Sequence, residues 1–212
     1  KIIYITDQGT VFCHHAQTGA TFWKYQGESP ATNPTWREVG SMPIAYDDKL
    51  YYSSYDGTVR CIDINTGKLI WHRMISTFIH STPELCPDLD CLLLNTELHS
   101  NRSGKLVNDQ SDVVCLKMST GDLIWRTETV NGTGPGTCSR KGNRFVVGSN
   151  NNTLICRSIT DGTKLWEVSF PGHVKGRPEW IDNYVYAVCE WGRLKIINAD
   201  TGEVIKTIRS EE

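Results

Sequence analysis

Eight cysteines, six histidines and a basic stretch between His173 and Arg177 are the residues of this 212-residue chain best equipped for chemistry. Cys86 and Cys91 lie close together in Cys86-Pro87-Asp88-Leu89-Asp90-Cys91, a spacing that suits a local metal clip or a disulfide across a hairpin. No second pair of comparable spacing completes a zinc site, so no metal is expected. His14 and His15 are adjacent, and neighbours on a strand point to opposite faces, which disfavours joint metal binding. The glycine cluster Gly132-Thr133-Gly134-Pro135-Gly136 lacks the Lys-Ser or Lys-Thr of a phosphate loop. Neither an HExxH pattern nor a nucleophile-and-base arrangement is evident. The expectation is no catalytic residue and no cofactor.

The elements that position these residues come from a repeat. Asp63-Ile64-Asn65-Thr66-Gly67-Lys68-Leu69-Ile70-Trp71 has relatives at 15–23, 117–125, 158–166 and 198–206. Their glycines, Gly19, Gly67, Gly121, Gly162 and Gly202, are 48, 54, 41 and 40 residues apart, the range of propeller and solenoid repeats. Runs rich in β-branched and aromatic residues flank each glycine, so every unit reads as two strands joined by a tight turn. The glycine supplies a positive φ, and the Asp, Asn or Thr before it can bond its own backbone. Four residues after the glycine stand Trp23, Trp71, Trp125 and Trp166, with Lys206 in the fifth copy. These four tryptophans are expected to dock neighbouring units together. Cys13, Cys61, Cys115 and Cys156 share one repeat position, and since equivalent positions of adjacent units rarely pair, buried free thiols are expected there.

With 39% hydrophobic residues, mean hydropathy of −0.36 and 22 basic against 24 acidic residues, the chain can bury a core and carries no global charge that would draw nucleic acid or a membrane surface. No apolar run is long enough to span a bilayer, so no membrane insertion is expected. The first residues, Lys1 to Thr6, read as a strand, which suggests a fragment or a processed chain. Three glycosylation sequons, at Asn101, Asn131 and Asn151, leave an extracellular or lumenal location open, while the thiols favour the cytoplasm.

Read in order, each unit has four strands, A to D. Strand A is expected to begin at Pro43, Pro83, Pro135 and Pro178, where a missing amide donor is best tolerated. The first unit has only strands B, C and D, at residues 1–5, 10–15 and 21–25. A single domain over residues 1–212 follows, with units near 1–40, 41–75, 76–130, 131–170 and 171–212.

This pattern, a Pro-led strand, an aromatic or aliphatic strand, Asp or Asn ahead of Thr-Gly-Lys and a closing Trp, resembles the PQQ-like β-propeller repeat of quinoprotein dehydrogenases. The resemblance covers essentially the whole chain. It implies an all-β fold, a β-propeller of about five four-stranded PQQ-like blades with the first lacking strand A. The same repeat serves non-catalytic scaffolds such as outer-membrane assembly lipoproteins and lumenal stress sensors, and the C-terminal region of some adenylate-forming enzymes. The catalytic members carry about eight blades, an adjacent Cys-Cys pair and a calcium ligand set, and this chain has no Cys-Cys dipeptide.

Two units are longer than the rest. Residues 26–41 extend a D-to-A link and residues 95–112 a B-to-C link, and in a propeller both link types lie on one face, as a binding surface would. That face should carry His80, His173, Lys175 and Arg177 near the mouth of the central channel, suited to an anion or an acidic segment. Trp36 and Trp191 lie outside the docking position and are candidate interface anchors. The function expected is a non-catalytic scaffold or recognition module that binds a protein segment or small-molecule ligand on this face. A carbohydrate-binding, lectin-like propeller and an accessory domain of a multidomain enzyme are the alternatives.

Overall fold

The computed structural model describes residues 1–6, 9–27, 41–54, 56–76, 79, 81–96, 110–130, 136–149 and 151–209. These residues form five antiparallel sheets whose strands pair in chain order. Blade 1 has three strands, β1 (Ile2–Ile5), β2 (Thr10–His14) and β3 (Thr21–Gln26). Blade 2 has β4 (Ile44–Tyr46), β5 (Lys49–Ser53), β6 (Thr58–Asp63) and β7 (Leu69–Met74). Blade 3 has β8 (Glu84–Cys86), β9 (Cys91–Asn95), β10 (Gln110–Lys117) and β11 (Leu123–Val130), with a 3-10 turn over Pro87–Leu89. Blade 4 has β12 (Ser139–Lys141), β13 (Arg144–Gly148), β14 (Thr153–Ser158) and β15 (Lys164–Ser169). Blade 5 has β16 (Glu179–Ile181), β17 (Tyr184–Cys189), β18 (Arg193–Asn198) and β19 (Val204–Arg209).

The core lies between blades. Successive residues of a strand face opposite sides of a sheet, so each blade can pack against both neighbours at once. In β9, Leu92 and Leu94 join Tyr51, Val59 and Trp71 of blade 2, while Cys91 and Leu93 join Phe145 and Val147 of blade 4. Equivalent clusters seal blade 1 to blade 2 around Leu50 and Ile62, and blade 4 to blade 5 around Val185 and Ile197.

Each docking tryptophan ties one blade to the turn of the next. The indole Nε1 of Trp23 donates to the Ile64 carbonyl (3.2 Å), Trp71 to Met118 (2.9 Å), Trp125 to Ile159 (2.8 Å) and Trp166 to Ala199 (3.0 Å). Every acceptor stands three residues before a turn glycine, and the ring lies against that glycine. A Cβ on Gly67 would sit 2.6 Å from Trp23, and one on Gly121 2.5 Å from Trp71. The glycine is therefore required twice, for a φ of +71° at Gly67 and for the approach of the ring. Gly19 shares the φ of +71° but has nothing within 4 Å of its Cβ position. Across the strand pair the ring faces the recurrent cysteine: Cys13 opposes Trp23, Cys61 Trp71, Cys115 Trp125 and Cys156 Trp166. Where Lys206 replaces the tryptophan, Ile196 replaces the cysteine.

The strand A expectation for the fourth unit is corrected. Pro43, Pro83 and Pro178 immediately precede β4, β8 and β16, but β12 begins at Ser139, and Cys138 takes the place of the proline. Pro135 lies outside the described residues. Cys138 is buried, and its thiol reaches the Asn95 side-chain oxygen (3.5 Å), so an inter-blade contact marks this strand start instead.

In blades 2, 3 and 4, at the end of the sheet opposite the docking turns, the last residue of strand B holds the neighbouring D-to-A link. Ser53 Oγ donates to the Ser81 carbonyl (2.6 Å), and Asn95 Nδ2 donates to the Gly136 carbonyl. At the third such position the backbone of Gly148 lies against Val174, whose carbonyl a Cβ would strike at 2.1 Å.

Candidate partner-binding site

Three of the six sequence candidates, His173, Lys175 and Trp191, meet at the B-to-C turn of blade 5. The tight turn Cys189-Glu190-Trp191-Gly192 is closed by the Gly192 amide bonding the Cys189 carbonyl (3.1 Å), with Gly192 at φ +66°. The Glu190 amide donates to the His173 carbonyl (2.9 Å), which brings the preceding D-to-A link alongside. Side chains complete the junction. Glu190 accepts from Lys175 Nζ through Oε1 (2.5 Å) and lies 3.2 Å from His173 Nδ1 through Oε2. The bonded Lys175 ammonium, with His173 adding, holds the Glu190 carboxyl below the usual carboxylate range. Trp191 rests over Gly172, whose Cβ position lies 3.1 Å from the indole, and is 67% exposed. That contact positions the ring without burying it.

Arg177 occupies a different setting. Its guanidinium reaches Glu84 of blade 3 (2.9 Å) and Glu179 (3.8 Å). Glu84 Oε1 also accepts from the Arg140 amide (3.3 Å), so one carboxylate ties blades 3, 4 and 5 along their first strands. Burial of the Glu84 carboxyl raises its pKa, against the pull of Arg177 and Arg140. Thus His173, Lys175 and Trp191 are brought together, and Arg177 stands apart as an inner-wall ion pair. His80 and Trp36 lie outside the described residues. Trp180 packs against the blade 4–5 core, with Nε1 donating to the Ser139 carbonyl (3.0 Å).

Sequence reasoning missed the carboxylates that partner these cations, because nothing in the local pattern around Glu84 or Glu190 announces a partner 93 or 15 residues away. It also missed Arg60, a charged residue where β10 and β14 carry Val114 and Ile155. Arg60 is 3% exposed and bonds Asp56 (2.6 Å) and Ser54 (2.8 Å). The adjacent histidines divide as expected of a strand end. His14 stacks on Tyr4 and Phe12, and His15 Nδ1 accepts from the Gln17 and Thr18 amides, as Asp63 does in its own turn. Among the described residues no group of three His, Cys, Asp or Glu side chains is arranged to hold a metal ion.

The PQQ-repeat family profile described as outer membrane protein assembly factor BamB matches residues 1–107 and 109–207. The chain belongs to this BamB-type family of PQQ-like repeats. It is 24% identical to the outer membrane protein assembly factor BamB of Legionella pneumophila over 174 residues, 79% of this chain and 42% of that protein. The crystal structure of BamB from Moraxella catarrhalis superposes with a TM-score of 0.75 at 18% identity, covering 98% of this chain and 60% of that one. Quinohemoprotein alcohol dehydrogenase from Comamonas testosteroni superposes with a TM-score of 0.79 at 13% identity, covering 99% of this chain and 41% of that one. Both likenesses establish the PQQ-like propeller fold. The chain spans less than half the length of the Legionella relative.

This kinship overturns the cytoplasmic preference drawn from the sequence, because the family and its matched members are named for outer membrane protein assembly. The preference rested on free thiols. All eight are at most 3% exposed, and a buried thiol packs as a small hydrophobe in any compartment, so these cysteines do not argue for the cytoplasm.

Proposed function

We propose that this chain is the blade array of a non-catalytic scaffold in outer membrane protein assembly, and that it binds a protein segment at the blade 5 junction. The observation that carries this reading is Trp191, 67% exposed yet in contact with Gly172 at the turn that bears Glu190, the partner of Lys175 and His173. An exposed aromatic ring flanked by polar groups is the composition of an interface anchor, and the contact with Gly172 limits its freedom, so less side-chain entropy is lost when a partner covers it. Membership of a family named for assembly work supports a protein as the ligand. The Lys175 ammonium is already paired with Glu190, so the junction offers a polar rim around an apolar centre and suits a segment that inserts an aromatic or aliphatic side chain over Trp191.

A photo-crosslinking residue at position 191 of the full-length protein, expressed in cells, tests this directly. The expected result is a cross-link to an outer membrane assembly component, identified by mass spectrometry, with none from position 16 in the C-to-D turn of blade 1, at the other end of the sheets. Cross-links from position 16 alone, or none from 191, would overturn the assignment. With the captured partner purified, Trp191→Ala is expected to weaken binding by at least about 30-fold, the level of a hot-spot residue, while leaving the melting temperature unchanged.

A further inference from the structure

Cys86 ends β8 and Cys91 begins β9, and the two are direct partners across the strand pair. Residues so opposed stand about 4.5–5.5 Å apart between Cα atoms, inside the roughly 4.4–6.8 Å that a disulfide spans. No other cysteine of the chain opposes a cysteine. Cys13 faces Ile3 and Trp23, Cys61 faces Tyr51 and Trp71, Cys115 faces Leu93 and Trp125, and Cys156 faces Val146 and Trp166. Cys189 faces Arg193, and Cys138 precedes β12. Cys115 shares the core cluster and its thiol bonds that of Cys91, but the two are diagonal in register, since the partner of Cys91 on β10 is Lys117, and diagonal Cα positions, about 7–8 Å apart, lie beyond the span of a disulfide.

The hairpin between the pair is a short turn held on one side by Asp90, which accepts from the Ser119 amide (3.0 Å) and hydroxyl (2.7 Å), and on the other side by blade 4. Its four residues carry a 3-10 turn over Pro87–Leu89 with Asp90 in the left-handed region at φ +47°, and Leu89 is exposed. From blade 4, Arg140 grips the turn through Asp88, at 2.5 and 3.0 Å, and its guanidinium also lies against the Cys86 thiol. While the hairpin is shut both thiols are buried and poor nucleophiles. The bond to Cys91, then burial, raises Cys86, and the bond to Cys115 pushes Cys91 up to about 12.

We infer that Cys86 and Cys91 form a dithiol–disulfide site, oxidised by a disulfide compound when the hairpin opens. One cysteine loses its proton to solvent and its thiolate attacks a sulfur of the oxidant. A mixed disulfide forms and one thiolate leaves. The second cysteine, deprotonated in turn, attacks the first Sγ, closes the Cys86–Cys91 bond and releases the other half of the oxidant as thiolate. Two electrons pass to the oxidant, and the two protons end on the released thiols. Arg140, beside Cys86, favours the thiolate there once the turn has lifted. This site is independent of the partner reading at Trp191.

Incubation of the native full chain with oxidised glutathione, followed by alkylation and peptide mapping, tests the inference. The expected result is loss of two of the eight thiols in one intramolecular Cys86–Cys91 linkage. Cys91→Ser, with an unchanged circular dichroism spectrum, is expected to abolish the linkage, and Cys115→Ser to leave it intact. Asp88→Asn, which frees the turn from Arg140, is expected to speed oxidation by about two- to fivefold, the worth of an exposed ion pair. Eight thiols persisting in the folded chain, a linkage mapped to another pair, or oxidation that stops at the mixed disulfide would each overturn it.

Discussion

Gly67 and Gly19 separate the two demands that the turn makes on a glycine. Both sit at φ +71°, but only Gly67 lies against an indole. Gly19→Ala therefore meets the left-handed backbone penalty alone, about 1–2 kcal/mol. Gly67→Ala meets the same penalty and a contact at 2.6 Å with Trp23, and is expected to destabilise the fold by at least about 2 kcal/mol more, measured by urea unfolding. The buried Arg60–Asp56 pair gives a second residue-scale prediction. Burial pulls the Asp56 carboxyl upward, but the Arg60 bond and charge, with the Ser54 and Thr58 bonds, outweigh it and hold the pKa below the usual range. A lowered folded value contributes stability above the unfolded pKa of about 3.9 and loses it as pH falls through the folded value. Asp56→Asn is thus expected to destabilise the chain by roughly 3–5 kcal/mol near pH 7. The difference from the unsubstituted chain should fade below about pH 4, and a pH-independent difference would argue against a role for the charge.

At the scale of the element, strands C and D of each blade work as one docking unit. The ring of Trp71 faces Cys61 across the strands and touches Gly121 of the next blade. A thiol is small enough to let the indole lie over the strand pair and soft enough to pack against it. Cys61→Leu is expected to overpack this site and cost about 1–3 kcal/mol, whereas Cys61→Ala should cost less, with chemical denaturation as the measure. The coupled loss of both partners at Ile196 and Lys206 fits the same account, because β19 is exposed throughout and receives no docking contact among the described residues. Strand B acts similarly at the opposite end. Ser53 and Asn95 reach neighbouring links by side-chain hydrogen bonds, and Gly148 does so by close backbone approach.

For the molecule as a whole, the apolar clusters join neighbouring sheets, so apart from the Glu84–Arg177 tie between blades 3 and 5 stability is a sum of blade terms and nearest-neighbour interface terms. Losing one docking ring should then release different amounts of structure depending on its place. Trp166→Ala weakens the blade 4–5 junction and is expected to raise hydrogen exchange in β16–β19 while β5–β10 stay protected. Trp71→Ala cuts the array between blades 2 and 3 and should raise exchange on both sides of the junction. Each is expected to cost about 3–5 kcal/mol at its own interface. Uniform exchange changes in both variants would show that the blades unfold as one cooperative unit instead.

The repeat was legible because it depends on local chemistry. A turn glycine, a capping Asp or Asn and a Trp four residues later follow from the φ the chain must adopt and from the period of a strand. The strand order within each blade and the docking role of Trp23, Trp71, Trp125 and Trp166 are written in that spacing. What tertiary structure alone decided was which distant groups meet. Arg177 finds Glu84 two blades away, Lys175 and His173 share Glu190, Asp56 neutralises an arginine inside a sheet, and Cys138 stands where a proline was expected. Such pairings depend on how sheets stack. Stacking is driven by apolar burial that many residue types satisfy, so it leaves no local pattern in the sequence from which its polar partners could be read.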